Sequence, residues 1–204
     1  MRKPVLSALI ATATLLVSGQ VLAYGVGDIY TRVGIAKVSP KDDNGTLAGT
    51  LDVDVQDDSG FAFTLGYRFH DKLGVELLAA EPFDHDIKLN GSNLASTEHL
   101  PPTLTLQYYP MGGTASRVQP YAGVGVNYTH FMDEELDGGP ELKLDNSWGA
   151  AGQLGVDLLI DEHWALNAAA WYLDIDTDAE LGGSDIGEVE IDPIVVMGGI
   201  SLRF

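Results

Sequence analysis

Residues 60–69 read GFAFTLGYRF, and their alternation is strict. In an extended strand successive side chains point to opposite faces. Phe61, Phe63, Leu65, Tyr67 and Phe69 therefore share one side, and Ala62, Thr64, Gly66 and Arg68 share the other. A water-soluble sandwich would also alternate, but its polar face would be outside and charged in every strand. Here the minor face is small, glycine-containing and sparsely charged. That is what the inside of a narrow barrel requires, with the large apolar face left to meet lipid.

Working outward, the same period of two recurs in eight segments, roughly 28–38, 60–69, 73–88, 96–109, 119–131, 146–160, 163–177 and 188–204. Ile194, Val196, Ile200, Leu202 and Phe204 oppose Val195, Met197, Gly199, Ser201 and Arg203. Trp148, Ala150, Leu154, Val156 and Leu158 oppose Gln153, Gly155 and Asp157. Short connections (HDK, DE, PMGGTASRV) alternate with long acidic ones such as SPKDDNGTLAGTLDVDVQDDS, LNGSNLA, MDEELDGGPELKLD and DAELGGSDIG. This predicts an all-β fold, an eight-stranded antiparallel up-and-down transmembrane barrel with short periplasmic turns and long extracellular loops. The outward aromatics then fall into two rings: Tyr67, Phe69, Tyr108, Trp164 and Phe204 at the periplasmic end, and Phe61, Tyr128, Trp148 and Tyr172 at the outer end. Eight steps of about 3.3 Å at a tilt of about 40° give a band roughly 20 Å tall, near the ~25 Å of such barrels.

Before the barrel stands a leader. Arg2 and Lys3, the apolar run from Val5 to Val17, and Val21-Leu22-Ala23 make residues 1–23 a secretory signal peptide, with the barrel over 24–204. The chain carries a net charge of −19, which excludes nucleic acid as a partner. It has no cysteine, so thiol nucleophiles, Cys-based zinc sites and disulfides are excluded too. A hydrophobic content of 45% argues against disorder despite the acidity.

Five stretches resemble the OmpW family (OmpW/AlkL-like) of outer-membrane proteins: GVELLAAEPFDHDIK, EHLPPTLTLQYY, QPYAGVGVNYTHF, DNSWGAAGQLGVDLLI and WYLDIDTDAEL. The similarity runs from about Asp28 to Phe204, with the first and third long loops departing most. It implies a barrel of the outer membrane of a Gram-negative bacterium whose apolar, porin-like channel passes small hydrophobic molecules through a lateral opening. It also implies that Leu78 and Trp171 occupy the positions where the family's channel narrows.

An eight-stranded barrel leaves room for at most one small ligand. Arg32, Arg68, Glu76, Asp157 and Arg203 have inward parity near the periplasmic ends of their strands and are expected to pair as a polar plug. The alternative is that they are ordinary barrel-filling ion pairs with only a structural role. Above them Leu78, Ala80, Ala169, Trp171, Leu173, Val195 and Met197 are expected to line a hydrophobic channel, the alternative being that they fill the barrel as a core. Pro82 in the third segment and Pro101 and Pro102 in the fourth cannot donate to a ladder, and the two segments are neighbours. Their seam is expected to part as a lateral opening, or else merely to end above the membrane.

Two further constellations weigh less. Asp174, Asp176 and Asp178 are outward and are read as a solvated rim or as contacts for cations bridging lipopolysaccharide, not as an EF-hand. His99 has inward parity, while His85 and His130 have outward parity, which argues against a shared metal site. No hydrolase or nucleotide-binding motif is present, so no enzyme activity, cofactor or metal is expected. The expected partners are small hydrophobic solutes, outer-membrane lipid and lipopolysaccharide, and the barrel-assembly machinery during biogenesis. The expected function is passive uptake of small hydrophobic molecules through the lumen and out between the third and fourth strands. The alternative is a structural or surface-interaction barrel binding cations, lipopolysaccharide or another cell.

Overall fold

A computed structural model describes residues 25–136, 139 and 142–204; the signal-peptide reading of residues 1–23 lies outside them. The strands are β1 (Ile29–Ser39), β2 (Thr46–Leu47), β3 (Leu51–Val55), β4 (Asp58–His70), β5 (Leu73–Ala80), β6 (Phe83–Leu89), β7 (Ser92–Leu100) and β8 (Thr103–Tyr108). Then come β9 (Val118–Leu136), β10 (Leu142–Leu144), β11 (Ser147–Leu159), β12 (Trp164–Leu173), β13 (Asp176–Leu181), β14 (Ser184–Glu190) and β15 (Ile194–Arg203). The staves β1, β4, β5, β8, β9, β11, β12 and β15 pair in that order, and β15 pairs back onto β1, so the antiparallel barrel is closed with eight strands. Closure leaves no sheet edge in the hydrocarbon, where an unpaired amide has no water to turn to.

At membrane level the side chains sort as the alternation predicts. Phe61, Leu65, Val124, Leu154, Ile200 and both aromatic rings face outward, with Tyr128 resting on Trp148 at 4.7 Å between ring centroids. Inside, space is tight. Tyr30 and Tyr121 lie across the lumen over Gly66 and Gly155, where any Cβ would meet their rings within 2.5 Å. Those two glycines are what let large rings enter so narrow a tube.

The third segment departs from expectation. Instead of one strand over 73–88 there are two, and the inward set changes from Gly74, Glu76 and Leu78 to Phe83, His85 and Ile87. Ala79 and Ala80 still pair with Phe63 and Ala62, but Glu81 and Pro82 lie outside both strands, and a slip of one residue there turns every following side chain to the other face. His85 is therefore buried inside, not outward as its unbroken parity indicated.

The long acidic connections are also not plain loops. LNGSNLA is the tip of the β6–β7 hairpin, turning at Asn90 and Gly91 with φ of 49° and 78°. DAELGGSDIG forms the β13–β14 hairpin, turning at Gly182 and Gly183 with φ of 57° and 79°. Positive φ at both central residues suits the tight turns that match strand twist. With β2, β3, β10 and the end of β9, these hairpins carry the barrel on beyond the outer aromatic ring.

Candidate functional site

Near its periplasmic end the lumen is closed by a belt centred on Arg32 of β1. Its guanidinium bonds Glu76 of β5 and, at 2.6 Å, Asp157 of β11. Tyr30 and Tyr121 flank it, each ring centroid 4.4 Å from the guanidinium carbon. Glu76 accepts further bonds from Gln107 and Gln153 (2.8 Å each) and Thr64 (2.9 Å), while Asp157 accepts from Asn167 at 2.8 Å. Each carboxylate thus has several donors, the condition under which a buried ion pair is tolerated. Of the predicted plug residues, Arg32, Glu76 and Asp157 meet. Arg68 lies lower, over the Tyr109 ring at 3.7 Å and bonded to the Asp71 carbonyl, and Arg203 reaches Asp28 at 3.3 Å.

Above the belt Leu78, Ala169, Trp171, Leu173, Val195 and Met197 point inward and are buried, with Ala80 half-buried beside them. They pack as one apolar core. The enclosed apolar cavity lies farther out, in the extracellular half, with a volume of about 70 Å³. None of the seven residues expected to line the channel borders it; its wall includes Leu47, Val53, Val55, Ile87, Leu144 and Ile191, with His85 and His99. Leu47, Val53, Val55 and Leu144 came from segments read as acidic loops, the others from the third, fourth and eighth strand segments. The signal was there in LDVDV and GEVEI, where acids alternate with aliphatics: Val53, Val55, Val189 and Ile191 are buried, while Asp52, Glu188 and Glu190 are exposed.

His85 and His99 stack at 4.7 Å with 13° between their planes, and Phe83 and Phe131 pack about His99. His85 Nδ1 bonds the Gln56 carbonyl, whereas His85 Nε2 and both ring nitrogens of His99 have no partner among the described residues. Leaving such a group unpaired costs about 1–3 kcal/mol. Burial, reinforced by His85, holds His99 down to about 3, and burial lowers His85 as well. Both rings are neutral at ordinary pH. His130 lies outside, bonded to Asn146 at 2.7 Å, and does not join them.

The proline seam has a defined break. The β5–β8 ladder ends at Leu78 opposite Thr103, and the β6–β7 ladder begins at Phe83 opposite His99. Between them no strand rung joins residues 79–82 to 100–102. The flanking seams stay shut: Glu81 donates to the Phe61 carbonyl and Tyr128 to that of Pro102, both at 3.0 Å. Pro101 is buried, Pro102 half-buried and Pro82 exposed. His99 both borders the cavity and forms the first rung beyond the break.

Of the acidic rim, Asp174 and Asp176 are joined by Asp192, not by Asp178, with carboxylate oxygens within 4.8 Å of one another. Partial burial and the two neighbouring carboxylates raise Asp176, and Lys41 already reaches Asp192 at 3.1 Å.

Comparison with known proteins accords with this architecture. The family model described as the OmpW family matches residues 25–204. Outer membrane protein W of Escherichia coli K12 is 40% identical over 215 residues, covering 100% of both chains. The crystal structure of OprG from Pseudomonas aeruginosa superposes with a TM-score of 0.83 at 42% identity, covering 90% of this chain and 99% of that one. A more distant relative, the dibenzothiophene metabolism operon protein PahQ of P. aeruginosa, is 26% identical over 169 residues and covers 79% of each chain. The chain belongs to the OmpW family and is an outer-membrane β-barrel of a Gram-negative bacterium.

Proposed function

We propose that the barrel takes up small hydrophobic molecules passively. A solute enters the apolar extracellular cavity, is stopped by the packed core and the Arg32 belt, and leaves sideways between the third and fourth staves at the break marked by Pro82, Pro101 and Pro102. The observation that carries this reading is the adjacency of cavity and break, with His99 belonging to both. Transfer from the cavity to lipid is downhill for the part of an apolar surface that was wet, at about 25 cal/mol per Å². The barrel thus carries the solute past the polar lipopolysaccharide layer, not past the hydrocarbon. The name of PahQ, which ties that relative to metabolism of an apolar sulfur heterocycle, agrees with this reading.

In this reading residues 1–23 direct export, barrel-assembly machinery inserts the chain, and lipid and lipopolysaccharide surround it. No catalysis is assigned, since both buried carboxylates of the belt are held by Arg32. The test is to fill the cavity. Ala95→Trp should slow uptake of radiolabelled octane by cells carrying the barrel to the rate of cells without it; unchanged uptake would remove the cavity from the route. The exposed acids Asp52, Asp86, Asp178 and Glu188 favour a second reading, a surface barrel that binds cations or another cell. Under that reading, trimming residues 40–59 or 132–145 abolishes cation binding or cell contact, while Ala95→Trp leaves uptake unchanged.

A further inference from the structure

The cavity and the break are neighbours that do not join. On β6 the cavity wall begins at His85 and continues through Ile87 and Leu89; on β7 it runs from Ala95 through Thr97 and stops at His99. Phe83, the next inward residue toward the break, is buried and lies outside that wall. A solute in the cavity therefore reaches the break by parting the first rungs beyond it, Phe83–His99, Asp84–Glu98 and His85–Thr97. His85 and His99 are diagonal neighbours across this seam, a separation that aromatic side chains can span, and their rings stack over it at 4.7 Å. His85 Nε2 and both nitrogens of His99 are buried with no partner among the described residues, and parting the strands would give all three water. The charges nearby are one-sided. Asp57, Asp58 and Asp84 act on His85, which also faces the Gln56 carbonyl. His99 faces the uncharged rings of Phe83 on β6 and Phe131 on β9, and among the described residues His85 is the one titratable group that acts on it.

We propose that the His85–His99 stack is an acid-released latch on the lateral exit: with neutral rings it holds the base of the β6–β7 hairpin shut between cavity and break, and when the rings take up protons those rungs part and the break reaches the cavity. This rests on the uptake reading for its use in transport, though not for the opening itself. Two neutral rings tolerate burial face to face; two cations 4.7 Å apart in an apolar core, with no carboxylate against His99, do not. The protons are therefore gained as the strands part. Burial, reinforced by His85, holds His99 down to about 3 in the closed seam, against about 6.5 for an imidazole in water. The closed seam thus has its full stability above pH 6.5 and loses it as pH falls. Between pH 7.5 and pH 5 the ratio of open to closed rises about thirtyfold through His99 alone, and the burial that lowers His85 adds in the same direction.

The test follows amide exchange of the full barrel in lipid nanodiscs at pH 7.5 and pH 5, corrected for intrinsic rates, beside octane uptake by cells carrying it. Exchange detects a minor open form while the closed form, with its neutral rings, predominates. Protection of residues 83–85 and 97–99 is expected to fall about thirtyfold or more on acidification, while Leu106 and Val124, paired in the β8–β9 seam, keep theirs. No loss at the β6–β7 seam, or an equal loss in both seams, overturns the latch. In the double variant His85→Phe, His99→Phe the seam should stay protected at both pH values, and a seam that still opens with acid overturns the latch as well. His130→Phe, whose ring lies outside, should open as the wild-type protein does; an acid response lost there would place the trigger elsewhere. If the double variant fails to fold, the wild-type contrast between the two seams decides. Octane uptake should rise with acid in the wild-type protein and not in the double variant. A seam that opens with acid in a barrel that speeds uptake at neither pH ends the uptake reading and leaves the latch standing. Uptake that is equal at both pH values, over a seam that stays closed, keeps transport and removes the latch.

Discussion

Below the outer aromatic ring the barrel carries its apolar residues outside and its charges within: Leu65, Val124 and Leu154 meet lipid while Arg32, Glu76 and Asp157 fill the lumen. Above that ring the arrangement inverts. Asp52, Asp86, Asp178 and Glu188 face out, and Val53, Ile87, Ala179 and Val189 face in. One chain keeps a single tube and, strand by strand, a period of two, yet reverses its sense where the surroundings change from hydrocarbon to water. The difference teaches that the sign of the alternation, not its presence, reports what surrounds a strand. It also explains why the two interiors do different things. In the lower one, charges in a narrow space must be paired, and pairing closes it. In the upper one, aliphatic side chains on the hairpins enclose space.

The largest way to break this comparison is to unpair the lower interior. Arg32→Ala leaves two carboxylates buried without their cation and should cost about 3–5 kcal/mol, read as a lowered urea midpoint in lipid vesicles. A cost under 1 kcal/mol would mean that the belt is wet. Next comes a charge on the lower exterior: Leu154→Lys, in the outward band, should cost about 2–4 kcal/mol in the same assay if it sits near the midplane.

A smaller effect separates the upper interior. The folded-state pKa of His99 is about 3 against about 6.5 unfolded, so between those values the unfolded chain binds more protons. Its contribution to stability is full above pH 6.5 and is lost as pH falls toward 3, reaching roughly 1 kcal/mol by pH 5.5. Ring 15N shifts should stay those of a neutral imidazole at pH 5, while amides of β6 and β7 lose protection relative to those of the lower staves. A charged ring at pH 5 would show that water reaches the pair. Smallest of all, Glu188→Lys on the upper exterior should change stability by no more than about 0.5 kcal/mol, although it reverses a charge as fully as Leu154→Lys introduces one.

The same inversion marks what could be read from residues alone. GFAFTLGYRF was legible because lipid-facing aromatics have no other use on a closed sheet, and Arg32, Glu76 and Asp157 followed from parity. LDVDV was not, because acids between aliphatics at a loop-like position look like solvated connection until a neighbouring hairpin shows which side is dry. The histidine pair was hidden by the prolines themselves. Parity carried unbroken through Pro82 put His85 outside, and only the missing rungs at 79–82 bring it to His99. Leu78, Trp171 and Met197 were placed inward correctly, but whether inward residues bound a space or fill it depends on packing distances that a pattern does not contain.

The central claim is that solute leaves through the break between the third and fourth staves. Because the chain has no cysteine, Ala80→Cys with Leu100→Cys can be bridged by a cleavable bifunctional thiol reagent in cells carrying the barrel, and octane uptake measured before and after cleavage. The account predicts uptake that falls to the level of cells lacking the barrel and returns when the bridge is cut. Undiminished uptake with the seam held shut would contradict it.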